Sequence, residues 1–205
     1  VKVLAEHEAK NLVARYGIDV PRFMVVEREE DLENVDLEYP LVLKVSSPRI
    51  LHKTDVGGII LNIMDEDMLL SSFRSLKEKF PEEKFIVEEM ERGGVEVIAG
   101  IIDDNAFGKC IMVGMGGIFT EIYKDVSFRM IPINEGDARE MLDELKAGKI
   151  FSGYRMKLKK DDMVEMLMKM ARMAEEIKIK QMDLNPVIVS ERGAKAVDAK
   201  IILEE

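Results

Sequence analysis

The chain has 205 residues, 47% of them apolar and 34% charged, with a formal net charge of −10. That length carries one sizeable domain or two small lobes around a real core, and an acidic excess interspersed with cations argues against a nucleic-acid partner, which selects basic stripes. The single cysteine, Cys110, excludes a disulfide framework and a cysteine-rich zinc site.

In chain order, Leu4, Ala5, Ala9, Leu12 and Val13 give helical spacing over about 3–16, with Gly17 as the stop. Val20-Pro21 opens a strand at 23–26, and the acidic stretch 29–34 reads as a short helix. Pro40 precedes the apolar run 41–45, a buried-strand signal interrupted by Lys44. A polar loop over 46–58 ends in paired glycines, and 59–63 is a further strand. Asp65 starts a helix to about 79 whose apolar stripe is Met68, Leu69, Phe73 and Leu76. Strands follow at 85–90, 95–100 and 109–113, the last containing Cys110 as a buried small hydrophobe. Gly114-Met115-Gly116-Gly117 reads as a glycine-rich break. A strand at 128–133 and helices near 135–147 and 160–177 lead to a closing hairpin. Met163, Met166, Leu167, Met170 and Met173 stripe the last helix and are assigned to core packing. Strands and helices alternate with hairpins among them, a mixed α and β class.

No run is long or apolar enough to span a membrane, and residues 1–7 lack the charged-then-apolar layout of a signal peptide. The expected location is cytoplasmic. Abundant charge with a single Gln leans towards a thermophilic source, while fifteen Met lean the other way.

The closing hairpin is the most informative stretch. Side chains alternate across a strand, so Asp183 and Asn185 share a face. A second strand over 196–200, paired back after a turn at 190–193, brings Asp198 beside them. Three oxygen donors at a sheet edge suit Mg²⁺, which keeps waters and binds nucleotide phosphates as well. A half-buried hairpin with polar residues facing water fits the same spacing.

Lys44 must meet an anion, such as a phosphate, or reach solvent from the strand end. The 46–58 loop holds Arg49, His52 and Lys53, and its Gly57-Gly58 pair allows backbone N–H groups to approach a phosphate. It is not a Walker loop, because the spacing of Gly, Lys and Ser/Thr is wrong. His52, near Asp55, is a candidate acid, base or phosphate acceptor, or a plain exposed loop residue. His7 lies on a surface helix and is taken as inert. Glu88-Glu89-Met90 and Glu96, placed on adjacent strands, offer acids for ribose hydroxyls or a solvated face. Glu121, Asp125 and Arg129 carry no clear period. With two histidines in the chain, a histidine-rich metal site is excluded.

The order of these features is more specific than any one of them. Glu8-Ala9-Lys10 before Tyr16-Gly17-Ile18, Tyr39-Pro40-Leu41-Val42-Leu43-Lys44, His52-Lys53-Thr54-Asp55-Val56-Gly57-Gly58, Gly116-Gly117-Ile118-Phe119, Lys124-Asp125-Val126-Ser127-Phe128-Arg129 and Asp183-Leu184-Asn185-Pro186 resemble the β subunit of ADP-forming acetyl-CoA synthetase. The resemblance spans essentially the whole chain. It implies an ATP-grasp fold of the α+β (α/β) class, a single domain over 1–205 whose two lobes have mostly antiparallel sheets flanked by helices. The smaller lobe would cover about 22–88, the larger about 1–21 plus 89–205.

The resemblance further implies a reversible reaction in which acyl-CoA, ADP and phosphate give the free acid, CoA and ATP. A partner α subunit, in an α2β2 assembly, would carry the CoA and acyl-phosphate chemistry. Lys44 would contact the nucleotide phosphates of ATP or ADP, and Gly57 and Gly58 would line the phosphate path. The Glu88, Glu89 and Met90 junction would hold adenine through backbone groups, and Glu96 would bind ribose. Asp183, Asn185 and Asp198 would hold Mg²⁺. His52 would accept phosphate from the α subunit and pass it to ADP. Apart from the resemblance, the charges of Arg49, Lys53 and Arg129 make them reasonable phosphate steadiers. Met156, where the family usually has Gly after Ser152-Gly153-Tyr154-Arg155, puts the role of Arg155 in doubt. The rival expectations are a succinyl-type or other ATP-grasp acid ligase, and an ATP-binding regulatory module without turnover.

Overall fold

A computed structural model describes residues 1–117 and 124–204. Two compact units divide the chain. The first takes Val1–Leu4, Ala9–Val20 and Gly93–Glu205, and the second takes Ala5–Glu8 and Pro21–Arg92. The helix α1 (Glu6–Arg15) therefore gives its first turn to the second unit.

The second unit is built on a four-stranded sheet of β2 (Phe23–Val26), β3 (Leu41–Ser46), β4 (Ile59–Ile63) and β5 (Lys84–Glu89), in the order β2-β5-β3-β4. All pairings are antiparallel. Every residue of β3 is buried, which explains its run of branched apolar side chains. The sheet packs on α2 (Glu66–Lys79) through Leu69, Phe73 and Leu76. Asp65 caps that helix by accepting the Met68 N–H at 2.8 Å, with Glu66 and Asp67 in the first turn and Lys77 and Lys79 in the last, matching the helix dipole at both ends. Residues Glu29–Asn34 form the short acidic helix expected there, in 3-10 geometry.

The first unit holds a sheet of seven strands. Its main path runs β1 (Lys2–Val3), β11 (Ala199–Leu203), β9 (Ile179–Ser190), β6 (Val95–Asp104), β7 (Gly108–Met115) and β8 (Val126–Met130), with β10 (Gly193–Ala196) paired to β9. One face is covered by α3 (Glu135–Asp143) and α4 (Lys160–Glu176). Met163, Met166, Leu167, Met170 and Met173 of α4 lie in that core with Ile101, Ile111 and Leu184, so the methionine stripe packs as its spacing implies. Each such side chain contributes about 1.5–3 kcal/mol when fully buried.

Several expectations are corrected. Cys110 is half-buried, because it alternates out of the core beside the buried Ile111. Gly114 and Met115 belong to β7, which extends past the expected glycine-rich break; a Cβ on Gly114 would lie 2.7 Å from Val126 Cγ1, so glycine there admits close strand approach. The strand expected at 128–133 is shifted to Val126–Met130, and the helix expected at 135–147 closes at Asp143. Ile118, Phe119 and Glu121 lie outside the described residues. Among the described residues no helix is long and apolar enough to cross a membrane.

Candidate functional site

In the second unit the residues gather around a buried run of charge. Lys44, 3% exposed in the middle of β3, neither reaches solvent nor stands alone. Its Nζ lies 2.9 Å from Glu6 Oε1 and 2.5 Å from Glu88 Oε1. The other oxygen of Glu6 lies 2.9 Å from Lys53 Nζ. All four side chains are nearly excluded from water, at 1–9% exposure. Burying an ion is costly by several kcal/mol, roughly, unless a partner compensates it, and here the order Glu88, Lys44, Glu6, Lys53 alternates in sign. The Glu88 carboxylate is thus spent on Lys44. The side chain of Glu89 instead accepts from Arg22 Nη1 at 3.0 Å and the Glu38 N–H at 3.1 Å. Of the backbone donors assigned to adenine, the Glu89 N–H is given to Arg22 O and the Met90 N–H to Pro40 O, each at 3.0 Å.

The 46–58 loop is pinned at both ends. At its start, Ser46 Oγ accepts the His7 N–H at 3.2 Å and lies 2.9 Å from His7 Nδ1. His7 is therefore half-buried and engaged rather than inert, and burial lowers its pKa. At the far end the Gly57 N–H donates to Thr54 O at 3.1 Å and the Gly58 N–H to Lys53 O at 2.7 Å. The two glycine amides expected to face a phosphate thus close the loop on itself. Glycine is needed there for geometry. Gly57 has φ +62°, and a Cβ on Gly58 would lie 2.6 Å from Val45 Cγ1. Between the pins His52 is exposed, directly beside the buried Lys53.

The three assigned phosphate steadiers each have a carboxylate partner within their own unit. Lys53 meets Glu6, and Arg49 Nη2 lies 2.5 Å from Glu83 Oε1. Arg129 Nη2 lies 2.6 Å from Glu144 Oε1, and the guanidinium with the Ser127 hydroxyl holds the Glu144 carboxyl down at about 2. Asp125 is buried and accepts the Lys146 N–H at 2.6 Å and the Ala147 N–H at 3.0 Å, a structural duty. Arg155 is exposed, at φ +61°, with its guanidinium 5.3 Å from the Tyr154 ring centre.

In the first unit the hairpin differs from its expected form. Asp198 is not inside a second strand but in the break between β10 and β11, both of which pair with β9. Register still delivers it: Ala199 stands opposite Leu184, and the Asn185 N–H donates to Asp198 O at 3.3 Å. Asp183 and Asn185 alternate with the buried Met182 and Leu184, so they share the face away from that core. Burial first, and then the charge of Asp198, raises the Asp183 pKa, with Lys200 opposite it in register offsetting part of the effect. Two carboxylates and an amide are hard oxygen donors, and an anion made uncomfortable by burial and a neighbour of like charge fits a divalent cation. Among the described residues no group of three or more His, Cys, Asp or Glu could hold a metal; such a donor set leaves coordination positions to water and phosphate.

Glu96, exposed at the start of β6, lies in a different sheet from Glu88 and not on an adjacent strand. Its carbonyl accepts the Gly116 N–H at 2.8 Å, and a Cβ on Gly117 would lie 3.5 Å from its Oε2. The residue that sequence reasoning missed is Glu6. The signal for it was available, since a lysine in an otherwise buried strand requires a carboxylate from elsewhere in the chain.

The profile of the ATP-grasp domain family matches residues 1–203. The acetate–CoA ligase [ADP-forming] I subunit beta of Pyrococcus furiosus is 40% identical over 98% of this chain and 91% of its own length. The acetate–CoA ligase [ADP-forming] II of Archaeoglobus fulgidus is 40% identical over 99% of this chain, which spans only 31% of that longer protein. Among solved structures, the dinucleotide-forming acetyl-coenzyme A synthetase 1 of Ca. Korarchaeum cryptofilum, with coenzyme A, Ca-AMPCP and HgCl+, has a TM-score of 0.92 at 38% identity, covering 99% of this chain and 94% of that one. Its complex with coenzyme A and Mg-AMPPCP, whose phosphohistidine segment points towards the nucleotide binding site, has a TM-score of 0.86 at 38% identity, covering 99% and 93%. The chain belongs to the ATP-grasp domain family, in the branch of the ADP-forming acetate–CoA ligase β subunits.

Proposed function

We propose that this chain is the nucleotide-binding subunit of an ADP-forming acyl-CoA synthetase, carrying phosphate on His52 between an α subunit and ADP, in an α2β2 assembly. The observation that carries the proposal is the placement of His52: exposed, on a loop pinned at Ser46 and Lys53, with no competing histidine, since His7 is engaged by Ser46. The structural relative with a phosphohistidine segment supports the same reading.

The chemistry balances with one carrier. A ring nitrogen of His52 attacks the phosphorus presented by the α subunit, forming a P–N bond as the donor's bond to phosphorus breaks. A terminal phosphate oxygen of ADP then attacks that phosphorus, the P–O bond of ATP forms, and the P–N electron pair returns to the ring. Lys44 would serve the nucleotide phosphates by exchanging a carboxylate partner for a phosphate oxygen. Glu96 would take the ribose hydroxyls, and the Glu88–Met90 junction the adenine. Asp183, Asn185 and Asp198 would hold Mg²⁺, which when bound neutralises phosphate charge.

Incubation with γ-labelled ATP and the α partner tests this. Acid-labile, base-stable label is expected on this chain, and His52→Ala should lose the label and more than about a thousandfold of overall turnover while Mg–ADP affinity survives. Near-normal turnover in that variant would remove the carrier role. Binding of Mg–ATP without any label in the native protein would favour a regulatory module instead.

A further inference from the structure

We propose that Glu6 is the positioning residue of the histidine loop; the proposal rests on the carrier role of His52. The geometry that carries it lies within the second unit. Glu6 is 4% exposed, in the first turn of α1, and divides its carboxylate between two lysines. Oε1 holds Lys44 of β3 and Oε2 holds Lys53, the residue after His52. The next residue, His7, grips Ser46 through both its N–H and its ring. One helix turn thus secures the loop at its first residue and immediately past the reactive histidine.

The consequence is specific. Lys53 supplies the carbonyl that accepts the Gly58 N–H, and Gly58 O in turn accepts the Val45 N–H at 2.8 Å. Anchoring Lys53 therefore fixes the closing turn of the loop against β3, and the part left to carry His52 is 47–52. The same carboxylate joins that anchor to Lys44, the lysine assigned to the nucleotide phosphates. A phosphate drawing Lys44 away from Glu6 would leave Glu6 more strongly bound to Lys53. Arrival of nucleotide would then tighten the docked loop, so that His52 is steadied when its acceptor is present. Glu6 touches no reacting atom in this scheme and acts through Lys53.

The test uses Glu6→Gln in the complex with the α subunit. The amide keeps the shape and one acceptor but cannot bridge two ammonium groups. Two readouts separate positioning from general stability: hydrogen exchange of the 47–58 amides, and the rate at which His52 takes label from ATP. Exchange of the Gly57 and Gly58 amides should rise about tenfold or more, a modest share of what breaking a buried ion pair costs, while amides of the first unit keep their native rates. Labelling should slow by a similar factor, and Glu6→Asp should recover part of both. If Glu6→Gln does not fold, Lys53→Gln removes the same anchor from its other end, leaves the Glu6–Lys44 pair in place, and carries the same expectation. Native exchange at Gly57 and Gly58 in the folded variant overturns the proposal, whatever the labelling rate. Absence of label in the native protein overturns the carrier role instead, and the exchange result still decides the anchor.

Discussion

The two units treat buried charge in opposite ways. In the second unit, two carboxylates and two ammonium groups alternate along one line, each within hydrogen-bonding reach of the next. In the first unit, burial and then the charge of Asp198 raise the cost of ionising Asp183, and Lys200 offsets only part of it. The first arrangement is complete once the chain has folded. The second leaves the Asp183 carboxylate harder to ionise, a cost that a cation bound beside it would offset. On the proposed function, preorganised counterions suit a loop held in register, whereas a carboxylate raised by burial and a like charge suits a site that a metal would fill.

The sharpest way to break this contrast is Lys44→Met. Removing the central cation leaves the carboxylates of Glu6 and Glu88 buried without it, and such losses cost about 3–5 kcal/mol. The midpoint of denaturant unfolding should fall accordingly. Adding Glu88→Gln to Lys44→Met should restore part of the loss, because one stranded charge is gone. A loss below about 1 kcal/mol in the single variant would mean that the four charges are solvated and the network does not bind them together.

Asp198→Ala probes the other side, and its two effects should differ in direction. In the unliganded protein the Asp183 pKa should fall towards its ordinary value, since a like charge beside it is removed. The Mg²⁺ concentration needed for nucleotide binding should rise about tenfold or more, equivalent to about 1.4 kcal/mol. A magnesium titration at fixed ADP measures it. An unchanged requirement would take Asp198 out of the ligand set.

What could be read in the sequence follows the range of the forces involved. The strands at 23–26 and 59–63 and the helix opened by Asp65 are fixed by local pattern and caps, and they lie where spacing places them. The shared face of Asp183 and Asn185 was legible because side chains alternate along a strand. The break at Asp198 was not, since it depends on β10 and β11 both joining one long strand. The partners of Lys44 were equally hidden: Glu6 is 38 residues away in sequence, and only tertiary packing decides which acid answers a buried lysine. Paired glycines in the 46–58 loop were read as phosphate donors, yet steric contact with Val45 and the positive φ of Gly57 account for both. Membership of the family was legible from ordered motifs, because motif order survives where single residues are ambiguous.

The smallest effect, and the finest test of the contrast, is the pH dependence of stability. Burial and Asp198 raise the Asp183 pKa above its ordinary 3.8. The folded protein then holds that proton in a window where the unfolded chain has released it, and stability falls as pH rises. The contribution is fully present below about 3.8 and is lost as pH climbs through the raised folded value. Subtracting the Asp183→Asn curve from the native curve should therefore give a difference that declines through this window and levels off above it. Glu144 supplies the opposite sign in the same unit. Its pKa is lowered from 4.5 to about 2 by Arg129 and Ser127, so its contribution is present above 4.5 and fades as pH falls towards 2. Because Glu144 is well exposed, solvent screening keeps that second slope shallow. A difference curve for Asp183 that rises with pH, as the one for Glu144 should, would show a carboxylate already matched by a cation of the protein, and the contrast between the two units would be gone.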